Sequence, residues 1–272
     1  PGQAEEHYPL LTARGALRRL LGVALLLFFI ASLLELLLRT ADMSGQPLGE
    51  AYTELSTVLL KTHYGHFWLW RCAALILAAA AWALPLRPAL SRSAAYLAFV
   101  ALAGVVWTLS AAGHAGDDGF LTTADFAHGL HILGGLLWGG GILAAMLIIL
   151  PRLIRDDARQ LAAQCSLRLS TLAAAALAMV IIPGVYNAWL QIGSWHGLWS
   201  TTYGRILVIK VLLVMIMAVL GALNRYRYVP ALQRHAGLPE PRAFIPLTRL
   251  LRKDAPASSF LASLRVEAVL ML

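Results

Sequence analysis

The chain has 272 residues, 59% of them hydrophobic and only 13% charged, and its mean hydropathy is +0.70. Soluble globular domains are about 45–50% apolar and about 25% charged, so this balance excludes one; the apolar excess sits in long uncharged blocks, the mark of a bilayer protein. A net charge of +8 would suggest a nucleic-acid partner in a soluble protein, but here the basic residues fall in short loops between apolar stretches, so they are topology signals and no nucleic-acid partner is expected.

Hydropathy sets the expected elements in chain order. A helix needs roughly 20 apolar residues to cross about 30 Å of hydrocarbon. Six stretches meet that length: Leu17–Leu38, Phe67–Leu86, Ala89–Ala112, Phe126–Leu150, Leu167–Leu190 and Ile206–Leu223. A seventh opens near Ser263. Barrel strands would be shorter and would alternate. The expected fold is all-α, a polytopic transmembrane helical bundle with six full helices plus a truncated seventh. Residues 1–272 are expected to form a single transmembrane domain, truncated at both ends, because the chain starts at Pro1 without a Met and stops in the apolar run Val266–Leu272. At least one further helix is expected after Leu272, with room for one before Pro1.

The loops assign orientation. Seventeen of the 22 basic residues map to one side: Arg14, Arg18 and Arg19 before the first span, Arg87 and Arg92 after the second, Arg152 to Arg168 after the fourth, and Arg225 to Arg265 after the sixth. That asymmetry makes this side cytoplasmic. Six of the eight histidines, His63, His66, His114, His128, His131 and His196, then map to the opposite side, with Asp42, Met43, Glu50, Glu54, Asp117, Asp118 and Asp125. The outer face is rich in imidazole and carboxylate. Cys72 and Cys165 map near opposite faces, too far apart for a disulfide.

His128 and His131 lie three apart on one expected helix, so they share a face about one turn apart. Imidazole suits Cu, Zn, Fe and Ni, and two rings on one face suit a shared ion; the plainer alternative is interfacial hydrogen bonding and helix packing. His63-x-x-His66 precedes the aromatic run Phe67-Trp68-Leu69-Trp70 and reads either as a metal entry point or as an interfacial cap. His196, between Trp195 and Trp199, reads as an interfacial anchor. Arg71 and Lys210 sit inside their spans, where charge is costly. They either snorkel outward or pair, with Glu35 the candidate partner. Trp138-Gly139-Gly140-Gly141, continued by Gly134 and Gly135, predicts close helix packing, and Pro183-Gly184 predicts a kink or break in the fifth helix. Thr62-His63-Tyr64-Gly65 and Thr201-Thr202-Tyr203-Gly204, each with a basic residue six positions after its Gly, form a short internal repeat that suggests a duplicated membrane unit. Asp117-Asp118-Gly119 reads as a turn. With no nucleophile beside a base and no Walker loop, an enzyme is not expected.

A set of local sequences carries a family resemblance: Ser110-Ala111-Ala112-Gly113-His114-Ala115; His131 with Trp138-Gly139-Gly140; Pro183-Gly184-Val185-Tyr186-Asn187-Ala188-Trp189; Thr202-Tyr203-Gly204-Arg205 with Lys210; and Leu223-Asn224-Arg225. In this order and spacing they resemble the copper resistance protein D (CopD) family. The resemblance implies a bacterial inner-membrane protein of about eight helices, one of them before Pro1, linked to copper uptake or tolerance. It also implies a periplasmic copper-binding partner of the CopC type besides the lipid bilayer, and points to His114 and His131 as the best-supported copper ligands.

The expected function is copper handling at the periplasmic face through His114 and His131, with His128, His66 and His63 as further candidates, and movement of the ion, as Cu(I) or Cu(II), across the membrane. Glu35, Arg71 and Lys210 would shape the site by charge pairing, since Lys and Arg do not ligate copper. Two alternatives of other classes stand beside it: a b-type haem electron-transfer protein, with His114 and His131 as axial ligands from neighbouring helices, and a non-transporting membrane partner or assembly factor.

Overall fold

The computed structural model describes residues 2–83, 91–112, 122–239 and 257–271, and among them every regular element is helical. Helix α1 spans Gly2–Ser44 and ends where Gly45 takes φ +69, a left-handed conformation that closes a helix without a Cβ clash. A 3₁₀ turn, Ala51–Glu54, leads into the short α2, Leu55–Lys61, then α3, His63–Ala83, and α4, Ser91–Ala111. Helix α5, Thr123–Ala144, runs through a π turn, Ala145–Ile149, into α6, Leu150–Arg155. Helix α7 is Arg159–Ile192, and the short α8 is Gly197–Ser200. Helix α9, Thr202–Leu223, passes through a second π turn, Asn224–Tyr228, into α10, Val229–His235; α11 is Ala257–Met271.

Five stretches are long and apolar enough to cross a membrane: Arg14–Ser44, His63–Ala83, Thr123–Arg155, Arg159–Ile192 and Thr202–His235. The stretch expected as the third span lies on α4, whose apolar part is Tyr96–Ala111. The helices at the other five predicted spans overrun them at one end or both, because polar residues such as Arg159 and Asn224 continue the backbone hydrogen bonds outside the apolar run. Side chains such as Leu26, Ile76, Ile182 and Val219 are more than half exposed, as suits helices whose solvent is lipid tails.

Both π turns are followed by proline: Pro151 is the second residue of α6 and Pro230 the second of α10. Proline has no N–H to give to the carbonyl four residues back, and its ring crowds that carbonyl. The backbone widens just before it, so that Leu150 N–H reaches Ala145 O and Val229 N–H reaches Asn224 O, each an i→i−5 bond. Of the kink or break expected at Pro183, the break does not occur: α7 runs through it as one 34-residue helix, since losing one bond leaves the many other bonds of the ladder in place.

The chain clusters into two compact units, Arg18–Ile132 and Leu133–Leu272 together with Pro1–Leu17. In the first, α1 and α3 are pinned at both ends. Trp68 Nε1 donates to Ser32 O at 3.0 Å; toward the other end Trp82 Nε1 donates to Arg18 O at 2.7 Å, and Arg18 donates to Ala83 O and lies over the Trp82 ring. In the second unit, Trp138, Ile142, Ala176, Met217, Phe260 and Leu264 pack from α5, α7, α9 and α11. The expected close helix approach falls on Gly134, where an added Cβ would stand 2.8 Å from Met179 Cβ and 2.9 Å from Ala176 O of α7, while Gly140 has nothing within 4 Å.

Each unit holds one copy of the internal repeat, and the two copies fold alike. Thr62 (φ −113, ψ 151) and Thr201 (φ −97, ψ 151) are both extended breaks between a short helix and a long one. Thr62 Oγ1 donates back to Val58 O at 2.6 Å and accepts from Gly65 N at 3.0 Å; Thr201 Oγ1 donates to Gly197 O at 2.7 Å and accepts from Gly204 N at 2.9 Å. The hydroxyl thus serves the last carbonyls of one helix and the first amides of the next. Gly65 and Gly204 press against the preceding short helix so closely that a Cβ would meet its carbonyl oxygens at 2.1 and 2.3 Å.

Candidate functional site

The start of α5 is built by a reciprocal cap. Asp125 N donates to Thr122 Oγ1 at 3.1 Å, and Thr122 N and Oγ1 donate to Asp125 Oδ2 at 3.2 and 3.0 Å. This is a capping box with Asp in the acidic position. Helix α4 is tied to the same point, since Ser110 Oγ donates to Asp125 O at 2.7 Å. Asp125 is 1% exposed, and its second oxygen, Oδ1, is buried without a hydrogen-bond partner among the described residues. A buried carboxylate oxygen left unpaired is costly.

His128 and His131 follow Asp125 at successive three-residue steps on α5, about 4.5 Å of rise each, and both are half-buried. Asp125, His128 and His131 therefore run in a shallow spiral down one side of the helix from its capped end. His114 lies outside the described residues, as do Asp117 and Asp118. Among the described residues, no three His, Cys, Asp or Glu side chains stand close enough together to hold one metal ion.

The remaining sequence candidates make local contacts. His66 is exposed, with Nε2 3.0 Å from Leu60 O at the end of α2; the His63 ring lies 4.7 Å from that of Phe67. His196 is exposed at the start of α8 and accepts from Ser200 Oγ through its carbonyl. Arg71, 1% exposed, donates to Glu35 Oε2 on α1 at 2.5 Å, with its Nε and Nη2 buried and unbonded. Lys210, at the equivalent position of the second repeat, is exposed. The two cysteines are free thiols.

Sequence reading grouped Asp125 with the outer carboxylates and left it out of the site. The signal was present: Thr122-x-x-Asp125 before an apolar run is a capping box, and it places the acid one turn ahead of His128.

Comparison with known proteins gives two matching family models. Residues 163–272 match "Copper resistance protein D", and residues 5–123 match "Copper resistance protein D-like, N-terminal domain". "Inner membrane protein YebZ" of Escherichia coli (strain K12) is 30% identical over 217 residues, covering 76% of this chain and 71% of the relative. "Copper resistance protein D" of Pseudomonas syringae pv. tomato is 29% identical over 242 residues, covering 84% and 77%. "Copper transport protein CutJ" of Bacillus subtilis (strain 168) is 28% identical over 211 residues, covering 76% of this chain and 39% of the longer relative. No solved structure matches the chain.

Proposed function

The chain belongs to the copper resistance protein D family, and from that premise we propose that it is a multi-pass inner-membrane protein that receives copper at the periplasmic face and passes it across the membrane. Copper is the cargo. Its identity is supported by the names of two relatives, and the membrane by that of the third. The orientation is supported by the basic loops, seventeen cationic side chains on the side assigned to the cytoplasm.

The observation that carries the proposal is the capped end of α5, where a buried, unpaired Asp125 oxygen is followed one turn on by His128 and two turns on by His131. A carboxylate with an imidazole suits Cu(II), and imidazole alone also accepts Cu(I); Asp125, His128 and His131 do not stand close enough to hold one ion among the three of them, so the reading needs a ligand from beyond α5. His114, three residues after the end of α4 and named by the family resemblance, is the ligand we assign to complete the set. His63 and His66, exposed at the start of α3, are assigned to entry, where a periplasmic donor of the CopC type would deliver the ion.

The test is the copper content of the full chain purified in detergent, wild type against a His114→Ala, His131→Ala double variant. Loss of bound copper is expected. Unchanged stoichiometry overturns the site.

A further inference from the structure

Within the unit Leu133–Leu272, α5, α7, α9 and α11 line a partly open cavity of about 180 Å³. Its walls are mostly apolar, with Ile142, Leu177, Met217 and Phe260 among them. Into it faces Glu267 of α11, 2% exposed. Asn224 Nδ2 donates to Glu267 Oε2 at 3.0 Å, and Trp138 Nε1 donates to Oε1 at a long 3.4 Å. Glu267 has no salt-bridge partner among the described residues. Nothing local signals this contact, which joins positions 43 and 129 residues apart.

Two details bear on the state of the carboxyl. Asn224 Oδ1 is buried without a hydrogen-bond partner, although buried amide oxygens are nearly always satisfied. A buried acid with no cation and a buried acceptor with no donor thus stand side by side. One added proton resolves both: a neutral carboxyl is an O–H donor, and it removes the uncompensated charge from an apolar cavity. The cavity has room for several waters to relay the bond.

We propose that Glu267 is a buried proton-exchange site near the basic-residue end of its helices, a carboxyl that takes up and releases a proton through the water of this cavity. The group sits in the half of its unit that carries the basic residues, because Asn224 lies 22 residues, about 33 Å, along from Thr202. Arg225 and Tyr226 line the cavity beside Asn224. Arg225 is turned to α7, donating to Ser170 O and Oγ at 3.2 Å each, and makes no ion pair with Glu267. Arg227 and Tyr228 stack on each other in the same turn. The lining residues of α5 and α7 and the π turn Ala145–Ile149 bring no titratable group, and Arg265 on α11 is exposed. Asn224 opens a π turn, a distortion that recurs at functional sites. This role is independent of the histidine site.

The test uses the wild-type chain in lipid vesicles and dicyclohexylcarbodiimide, an apolar reagent that modifies protonated carboxyls within membranes. The adduct is mapped by peptide mass spectrometry between about pH 6 and about pH 9, with Glu267→Gln as the site control. Labelling of Glu267 that falls several-fold as pH rises is expected. Three results overturn the proposal: a Glu267 that stays unlabelled in the folded protein but reacts after denaturation, labelling that does not vary with pH, or labelling blocked at constant pH by sodium or copper salts, which would make the cavity a cation site. The mapping is done on wild type, so it stands even where the control variant fails to fold.

Discussion

Arg71 reaches Glu35 across 36 residues of sequence, joining α3 to α1 through a single 2.5 Å contact. Sequence left two fates for this arginine, snorkelling or pairing, and the side chain is almost wholly enclosed. Two of its guanidinium nitrogens remain unbonded. The pair therefore holds its geometry by default: the arginine has no exit to water, and the carboxylate is the one strong acceptor it meets among the described residues.

Glu35→Ala should destabilise the protein by about 2–3 kcal/mol, less than the about 3–5 kcal/mol for stranding one partner of a fully buried pair, because Glu35 keeps 38% of its side chain exposed. The double change Glu35→Ala, Arg71→Leu should recover most of that loss, since it removes the stranded charge as well. Urea or thermal unfolding in detergent measures both. Simple addition of the two single losses would contradict the ion-pair account.

The paired caps make a matched forecast. Thr62→Ala and Thr201→Ala should each cost about 1 kcal/mol. Gly65→Ala and Gly204→Ala should cost more, because the new Cβ would meet carbonyl oxygens at 2.1 and 2.3 Å and must open the helix–Thr–helix junction. Amide hydrogen exchange should quicken around residues 58–66 in the first unit and 197–205 in the second, each variant affecting only its own copy.

Gly134→Ala should destabilise the protein by about 1–3 kcal/mol, the usual cost of overpacking, because Met179 and the Ala176 carbonyl already stand within 3.0 Å of the added carbon. Gly140→Ala, with open space at its Cβ, should be neutral or slightly stabilising through helix propensity. The ratio of the two melting shifts tests where α5 and α7 come closest.

Copper binding supplies the fourth forecast. Asp125→Asn retains an oxygen able to accept from Thr122, so α5 should stay capped, but it removes the negative charge. Loss of one ligand of the proposed set should weaken copper binding by more than the about 10–100-fold that losing a supporting outer-shell partner costs, and His131→Ala should do the same. Titration of the purified chain followed by tryptophan quenching would show it; wild-type affinity in Asp125→Asn would remove the carboxylate from the set.

The apolar stretches were legible because uncharged runs of bilayer length admit few other structures. Their ends were less so: α7 starts at Arg159, eight residues before the predicted span, since a helix continues past the hydrocarbon wherever its backbone bonds can. The Thr-x-Tyr-Gly repeat was readable as sequence and proves to be the same junction in both units, because the cap needs the hydroxyl and the glycine at that spacing. Pro183 does not end its helix, as a lone proline does not outweigh the ladder of a long helix. The glycine run was read rightly as a packing face, since Gly134 and Gly141 meet α7, but sequence does not say which glycine comes closest. Glu267, Asn224 and Trp138 were invisible as a group because nothing local links them; only the packing of α5, α9 and α11 does.

The two π turns have a consequence for how these helices are read and altered. Each accommodates one residue beyond what an α-helix would use, so everything downstream is rotated by about 100° around the axis relative to an uninterrupted count. An apolar stripe traced straight through Ala145–Ile149 or Asn224–Tyr228 would slip to the wrong face, carrying Arg234 with it in the second case. The widened segments also act as slack: deleting one residue inside either would let the coil tighten to ordinary α geometry, leaving the far end in its original azimuth, whereas the same deletion in the middle of α7 would turn half of that helix toward the lipid.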